Sequence, residues 1–101
     1  KGCEAIGNNT TWTNLEELWL YANEIRDKGA VMIGSNTTWK NLKKLVLHTN
    51  KIQDQGAFEI ACNTAWKHLK LLDLSFNQLT KISKMQLLSN PIFGNFVKLD
   101  P

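Results

Sequence analysis

A 27-residue repeat constrains the fold of this chain more than any other feature. Gly2, Gly29 and Gly56 are each separated by 27 residues, and the same step recurs at many other positions without an insertion. The matching rows include Ile6, Ile33, Ile60 and Leu87; Asn9, Asn36, Asn63 and Asn90; Trp12, Trp39, Trp66 and Phe93; and Leu18, Leu45, Leu72 and Leu99. A fixed period of roughly 20–50 residues is typical of solenoids and propeller-like arrays.

Each repeat unit contains a strand pattern followed by a helix pattern. Leu18 and Leu20 are two residues apart, so both point to one face of a strand. From Asp27 to Ser35 the small and apolar residues change to helical spacing, and Asp27 and its repeat Asp54 are predicted N-caps. Successive strands are then parallel neighbours, with the helices stacked on the opposite side. Because helices need about 10 Å of spacing and strands only about 4.8 Å, the sheet should curve with its strands on the inner wall.

The core motif of the unit resembles the leucine-rich repeat, whose pattern is L-x-x-L-x-L-x-x-N-x-L. Its copies are Leu15-x-x-Leu18-x-Leu20-x-x-Asn23-x-Ile25, the segment from Leu42 to Ile52, and the segment from Leu69 to Leu79. The unit length and the helical segment are most similar to the ribonuclease-inhibitor-like class, found in NOD-like receptors and in repeat proteins of intracellular bacteria. The resemblance implies an α/β solenoid with a curved parallel sheet on the inner face and helices outside.

The repeat also predicts how the chain is organised. We expect residues 1–101 to form a single leucine-rich-repeat domain of about three full units with partial ends. The units start near residues 2, 29, 56 and 83. The sequence starts, at Lys1, within the helix pattern of one unit, and it stops at Pro101, the phase of Leu74 in the strand motif. We therefore expect an excerpt from a longer array.

Two rows of repeated side chains are assigned to structure rather than to binding. The asparagines follow each strand, where their amides can bond backbone groups that a buried turn leaves unpaired, as in the asparagine ladder of the resembled family. The tryptophans precede each strand at one phase, which predicts a buried row. The rows are Asn23, Asn50 and Asn77, and Trp12, Trp39 and Trp66.

The inner wall of the sheet is the candidate binding surface, because strand alternation keeps its side chains out of the core. Its positions are Glu17, Trp19 and Tyr21, then Lys44, Val46 and His48, then Leu71, Asp73 and Ser75, with Phe76 at a strand exit. The apolar and aromatic members predict an exposed strip, and aromatic side chains are favoured at interface hot spots. The sequence therefore predicts a module that binds a partner protein. The alternative is a purely structural segment of a larger array whose binding site lies elsewhere.

Other functional classes find little support in the sequence. His48, Asp73 and Ser75 lie on adjacent strands, but Asp73 and Ser75 share one strand and compete for the same neighbour, so we expect no enzyme. There is no C-x-x-C, no HExxH and no phosphate-binding glycine loop, so no cofactor, metal or small-molecule substrate is expected. No apolar run reaches the ~18 residues that a membrane span needs.

The chain carries a mild positive net charge, and part of it is concentrated in one patch of lysines that could bind a partner. The net charge is +3, and five lysines cluster where units two and three enter their strands: Lys40, Lys43, Lys44, Lys67 and Lys70. Such a patch can bind an acidic protein surface or a phosphate-rich partner. The chain has a single arginine, Arg26, and acidic residues in unit one offset the patch, so nucleic acid is not an expected partner. The glycosylation sequon Asn36-Thr37-Thr38 is interpreted as a structural turn.

The two cysteines predict the compartment. Cys3 and Cys62 belong to helices two units apart, which places them roughly 16–20 Å from each other. A disulfide needs Cα atoms within about 7 Å, so the two should stay free, with Cys62 the more exposed. Free thiols are typical of a reducing compartment. We expect a cytoplasmic protein, in a host cytosol if it is a delivered bacterial protein.

Overall fold

The computed structural model describes residues 12–20 and 24–99, so the predictions for Cys3, Tyr21 and Asn23 lie outside the described residues. Strands and helices alternate along this part of the chain. The strands are β1 (Glu17–Trp19), β2 (Lys44–Val46), β3 (Leu71–Asp73) and β4 (Val97–Lys98). The helices are α1 (Arg26–Gly34), α2 (Asp54–Ala61), α3 (Lys81–Leu88) and a short 3₁₀ helix (Gly94–Phe96). Within the described ranges no helix is long and apolar enough to cross a bilayer.

The strands form one parallel sheet in the order β1-β2-β3-β4. Leu18 lies opposite Leu45, and Leu45 lies opposite Leu72, so the first three strands pair at the predicted 27-residue step. These leucines are buried in one cluster with helix residues such as Ile33 and Ile60. The α/β architecture with parallel strands on one side and helices on the other is confirmed.

The fourth strand departs from the repeat register. Leu72 pairs with Val97, a step of 25 residues, so the expectation that Leu99 aligns with Leu72 is wrong. The shortened connection turns at Gly94, where a Cβ atom would lie 2.4 Å from the carbonyl oxygen of Leu88. Only glycine permits this approach, and units two and three have Lys40 and Lys67 at the same phase. Leu99 therefore follows β4 as Leu74 follows β3.

The tryptophan row is buried in its second and third members. Trp39 and Trp66 are fully buried, and the Trp66 ring centroid lies 6.0 Å from that of Phe93, which continues the row. Trp12 is 46% exposed, so the expectation of burial is wrong there. Trp12 lies shortly before β1. In the part of the chain that the structure describes, β1 has a neighbouring strand only on its β2 side.

The asparagine ladder is confirmed at Asn50 and Asn77. The Nδ2 atom of Asn77 donates to the carbonyls of Leu47 and Leu74, both at 3.0 Å, and its Oδ1 accepts from the backbone N–H groups of Asn50 and Ile52. Each amide therefore joins its own strand exit to that of the preceding unit. These residues hold the turns together and are not available to a ligand.

A second ladder lies on the other side of the units, at the sequon phase. Asn63 donates to the carbonyls of Gly34 and Asn36, at 2.9 and 3.0 Å, and accepts from the N–H of Trp66. Asn90 repeats the pattern one unit later. Asn36 is buried and its Oδ1 accepts from the Thr38 N–H at 2.8 Å, as a structural turn requires.

The prediction that Asp27 and Asp54 cap their own helices is wrong, because their carboxylates bind the next unit instead. Asp54 is the first residue of α2, and no side chain caps that helix. Its carboxylate instead accepts from the Thr80 N–H at 2.9 Å, from the Thr80 hydroxyl, and from the Ser83 hydroxyl at 2.6 Å. Asp27 likewise accepts from the Gln53 N–H at 2.7 Å. Each aspartate therefore binds the start of the helix in the next unit, a partner that the sequence of one unit does not reveal.

This contact makes stability depend on pH. Hydrogen bonds from Ser83 and Thr80 lower the pKa of Asp54 below its ordinary value. A lowered carboxyl pKa stabilises the fold above the unfolded-state pKa, about 3.9, and this contribution is lost as the pH falls through the folded-state pKa. We therefore expect Ser83→Gly to lose less melting temperature between pH 5 and pH 2 than the wild type. Thermal melts followed by circular dichroism at several pH values test this. Ser89→Ala, an exposed serine at the end of the same helix, should keep the wild-type slope; an unchanged slope in Ser83→Gly would contradict the assignment.

Cys62 is free and exposed, as predicted. Its thiol should react with Ellman's reagent in the native protein at the rate of an accessible thiol, without denaturant. Stopped-flow absorbance traces of the wild type and of Cys62→Ser measure this reaction rate directly. The rapid phase should vanish in Cys62→Ser, and a Cys62 that reacts only after unfolding would show that the helix end is covered.

Candidate functional site

The sheet face opposite the helices carries side chains that the core does not use. Strand alternation places Leu18, Leu45 and Leu72 in the core and their flanking residues on the other side. We call this surface the open sheet face and define it as Glu17, Trp19, Lys44, Val46, Leu71 and Asp73. Its rows run across the sheet, because Glu17, Lys44 and Leu71 are register partners and Trp19, Val46 and Asp73 are the next set.

The first strand presents the largest exposed side chain of this face. Trp19 is 53% exposed, and its Nε1 atom donates to the Glu17 carboxylate at 3.0 Å. This bond fixes the indole edge and leaves the ring face open. A rigid aromatic surface with few rotatable bonds suits the anchor of a protein interface.

The middle of the face is more closed than predicted. Val46 is only 2% exposed, and Asp73 and Ser75 are also buried, so the expectation that these three side chains stand free is wrong. Val46 lies between Trp19 and Asp73 across the sheet, and strands only about 4.8 Å apart let larger neighbours cover a small side chain. Lys44 is exposed, while Leu71 and His48 are half-buried.

The three residues considered for catalysis do not form a connected set. His48 Nδ1 lies 3.0 Å from the Thr49 hydroxyl, and Asp73 Oδ1 accepts from the Ser75 N–H at 3.0 Å. Among the described residues the Ser75 hydroxyl has no hydrogen-bond partner. A serine nucleophile needs a base within hydrogen-bond reach, and this arrangement has none at Ser75.

The exit edge, which we define as Thr49 and Phe76, has a left-handed backbone, which also occurs nearby at Glu24, Arg26 and Lys51. Thr49 and Phe76 follow their strands at the same repeat phase, and their φ angles are +62° and +59°. β-Branched and bulky residues rarely adopt this left-handed region, which costs of order 1–3 kcal/mol. Phe76 is nevertheless 61% exposed, so burial of its ring does not compensate for the strain. The sequence placed Phe76 beside the binding face, but its backbone strain has no sequence signal.

Two further residues border the open sheet face, and the sequence analysis did not predict either of them. The shift of β4 places Lys98 beside Asp73, and it places Phe96 directly before Val97, next to the row of Leu71. Phe96 lies 27 residues after the buried Leu69, but it is partly exposed. The signal was Gly94, whose replacement of a lysine marks the shorter turn.

The described residues contain no group of three or more His, Cys, Asp or Glu side chains that could hold a metal ion. The arrangement offers exposed aromatic rings, an exposed lysine and a carboxylate rather than a deep polar cleft. Such a surface suits contact with another macromolecule.

Comparison with known families agrees with the repeat. The Leucine Rich repeat family model matches residues 40–61 and 67–81, the segments that contain β2, α2 and β3. These matches support a leucine-rich repeat protein. A comparison with curated proteins found no significant match. Leucine-rich repeats commonly mediate protein–protein interaction, which gives general support to a partner protein.

Proposed function

We propose that this chain folds as a leucine-rich-repeat solenoid that binds a partner protein through the open sheet face and the exit edge, without catalysing a reaction. The repeated strand register and the helices on one side support a curved array of about three units with partial ends. Arrays of this kind offer extended inner surfaces to their partners.

One observation carries the proposal: of the five described non-glycine residues with a positive φ, Phe76 is the one with a large apolar side chain, and its ring is 61% exposed. A residue with a positive φ and a 61% exposed ring contributes little to folding that asparagine or glycine would not supply better. Strained residues of this kind cluster at functional sites. Together with Trp19, it supplies two of the side-chain types that dominate interface energetics.

The partner and the compartment are part of the same proposal. The resemblance to NOD-like receptors and to repeat proteins of intracellular bacteria favours a host–pathogen contact. The free, exposed thiol of Cys62 supports a reducing, cytoplasmic environment. Two free thiols in unreduced, denatured monomer would support this compartment, and a disulfide within the monomer would contradict it.

Affinity capture tests the proposal. The full chain and the double variant Trp19→Ser/Phe76→Asn are used as baits in host-cell lysate, and captured proteins are quantified by mass spectrometry. We expect the affinity of the double variant for its specific partners to fall by about a hundredfold or more, since each aromatic hot spot contributes about 2 kcal/mol and each 1.4 kcal/mol is a factor of ten.

Phe58→Ser is the matched control. Phe58 is also exposed and aromatic, but it lies on α2, in the helix layer. It should keep the wild-type partners. If both variants capture the same proteins as the wild type, the alternative of a purely structural segment is supported instead.

A further inference from the structure

Five lysines form a second surface at the entrance to β2 and β3, which we call the basic rim: Lys40, Lys43, Lys44, Lys67 and Lys70. All five are exposed. The repeat produces the pattern, because Lys40 and Lys67 share one phase and Lys43 and Lys70 share another. Like charges therefore lie in adjacent units rather than at scattered surface positions.

The backbone places two of these lysines side by side. The Lys70 N–H donates to the Lys43 carbonyl at 2.7 Å. Lys43 and Lys70 lie directly before β2 and β3, and like charges at neighbouring positions of a sheet are destabilising. The preceding unit has Glu16 at this phase, and Glu16 forms an ion pair with Lys43 at 3.4 Å. At this phase, opposite charges therefore face each other between units one and two, whereas two positive charges face each other between units two and three.

Carboxylates of the described residues do not neutralise the rest of the rim. Within residues 12–20 and 24–99, Lys43 is the rim lysine with an acidic partner, Glu16. Lys70 lies over the Phe96 ring, 4.8 Å from its centroid. Glu17, the register neighbour of Lys44, accepts from Trp19 instead. The opposite edge of the sheet differs, because Glu24 there pairs with both Arg26 and Lys51.

We propose that the basic rim binds a short acidic segment of a partner protein. Clustered lysines attract carboxylates and speed their association, and the match of opposite charges sets the orientation of the partner. The rim meets the open sheet face at Lys44, but its other four lysines lie outside that face, so substitutions at Lys40 and Lys67 test this proposal without changing Trp19 or Phe76.

A carboxylate-rich peptide fits the rim better than a nucleic acid does. The rim has no arginine to bind phosphate or a base edge through two parallel hydrogen bonds, and the face of its neighbouring ring, Phe96, is already in contact with Lys70. Glu16 and Glu17 border the rim and would repel a long phosphate backbone. The occupant is therefore short and spans two units.

Fluorescence anisotropy with the full chain tests this. The probes are a labelled hexaglutamate peptide and a labelled hexathymidylate, each at low and at physiological salt. The wild type should bind the peptide more tightly than the oligonucleotide, with affinity that falls as salt rises. Lys40→Gln/Lys67→Gln should weaken peptide binding by about tenfold.

Lys81→Gln/Lys84→Gln on α3 is the matched control, because it removes the same charge from another surface. It should change peptide affinity by less than about twofold, and circular dichroism confirms that both variants fold. Equal weakening by the two variants would show general attraction to a cationic protein and overturn the proposal. Tighter binding of the oligonucleotide, or no binding of the peptide at low salt, would also overturn it.

Discussion

Replacing Leu45 with alanine is expected to lower the free energy of unfolding by about 2–5 kcal/mol. Leu45 is fully buried, and its strand is flanked by β1 and β3, so the cavity has packed neighbours on both sides and cannot collapse easily. The total free energy of unfolding of a domain of this size is about 5–15 kcal/mol. The melting temperature should fall by roughly 10 °C or more, since each kcal/mol shifts it by about 4–8 °C.

Lys44→Ala is the control for this experiment, because Lys44 precedes Leu45 in the same strand but points to the open sheet face. It should change the free energy of unfolding by less than about 0.5 kcal/mol. Denaturant melts of the two variants measure both values. Equal midpoints would show that the two faces of β2 are assigned wrongly.

Asn50→Ala should destabilise the chain by about 3 kcal/mol or more. The Asn50 side chain is fully buried, and the two hydrogens of its Nδ2 atom are shared among the carbonyls of Leu20, Leu47 and His48 at 2.7, 2.9 and 3.1 Å. Alanine leaves these acceptors without their donor, and each unsatisfied buried group costs about 1–3 kcal/mol. Asn50→Asp, which has the same shape, should be at least as damaging because it places a carboxylate against carbonyl oxygens.

Asn41→Ala provides the comparison for this prediction. Asn41 is exposed in the turn before β2, and its replacement should alter stability by less than about 0.5 kcal/mol. Chemical unfolding of the three variants separates the effects. A loss below about 1 kcal/mol in Asn50→Ala would mean that water replaces the amide and that the ladder contributes little.

Much of the fold follows from the repeat itself. Residues such as Leu18, Leu45 and Leu72 repeat at one phase, so their side chains must occupy equivalent core positions, and the sheet and its register follow. The same logic predicted the amide contacts of Asn50 and Asn77. It failed at β4, because an average period carries no information about one shortened turn at Gly94.

The candidate site was harder to predict because exposure depends on neighbours. Alternation assigns Val46 to the open sheet face correctly, but its burial depends on its surroundings, including the register neighbours Trp19 and Asp73, and not on its own position in the pattern. The carboxylate of Asp54 was assigned to its own helix because the Thr80 and Ser83 donors belong to the next unit. The strain at Phe76 is a backbone property that no side-chain pattern reports.

The most direct test of the binding claim is a paired measurement on Phe76→Asn. Asparagine tolerates a positive φ better than phenylalanine, so stability should be unchanged or raised by up to about 1 kcal/mol. Affinity for the partner captured by the wild type should fall by about tenfold or more. Lys51→Asn, at another exposed residue with a positive φ (+59°) that lies outside the exit edge and the open sheet face, should also preserve or raise stability but keep the partner bound. Opposite changes of stability and affinity in Phe76→Asn are the result we predict; a variant that loses stability while keeping wild-type affinity would contradict the claim.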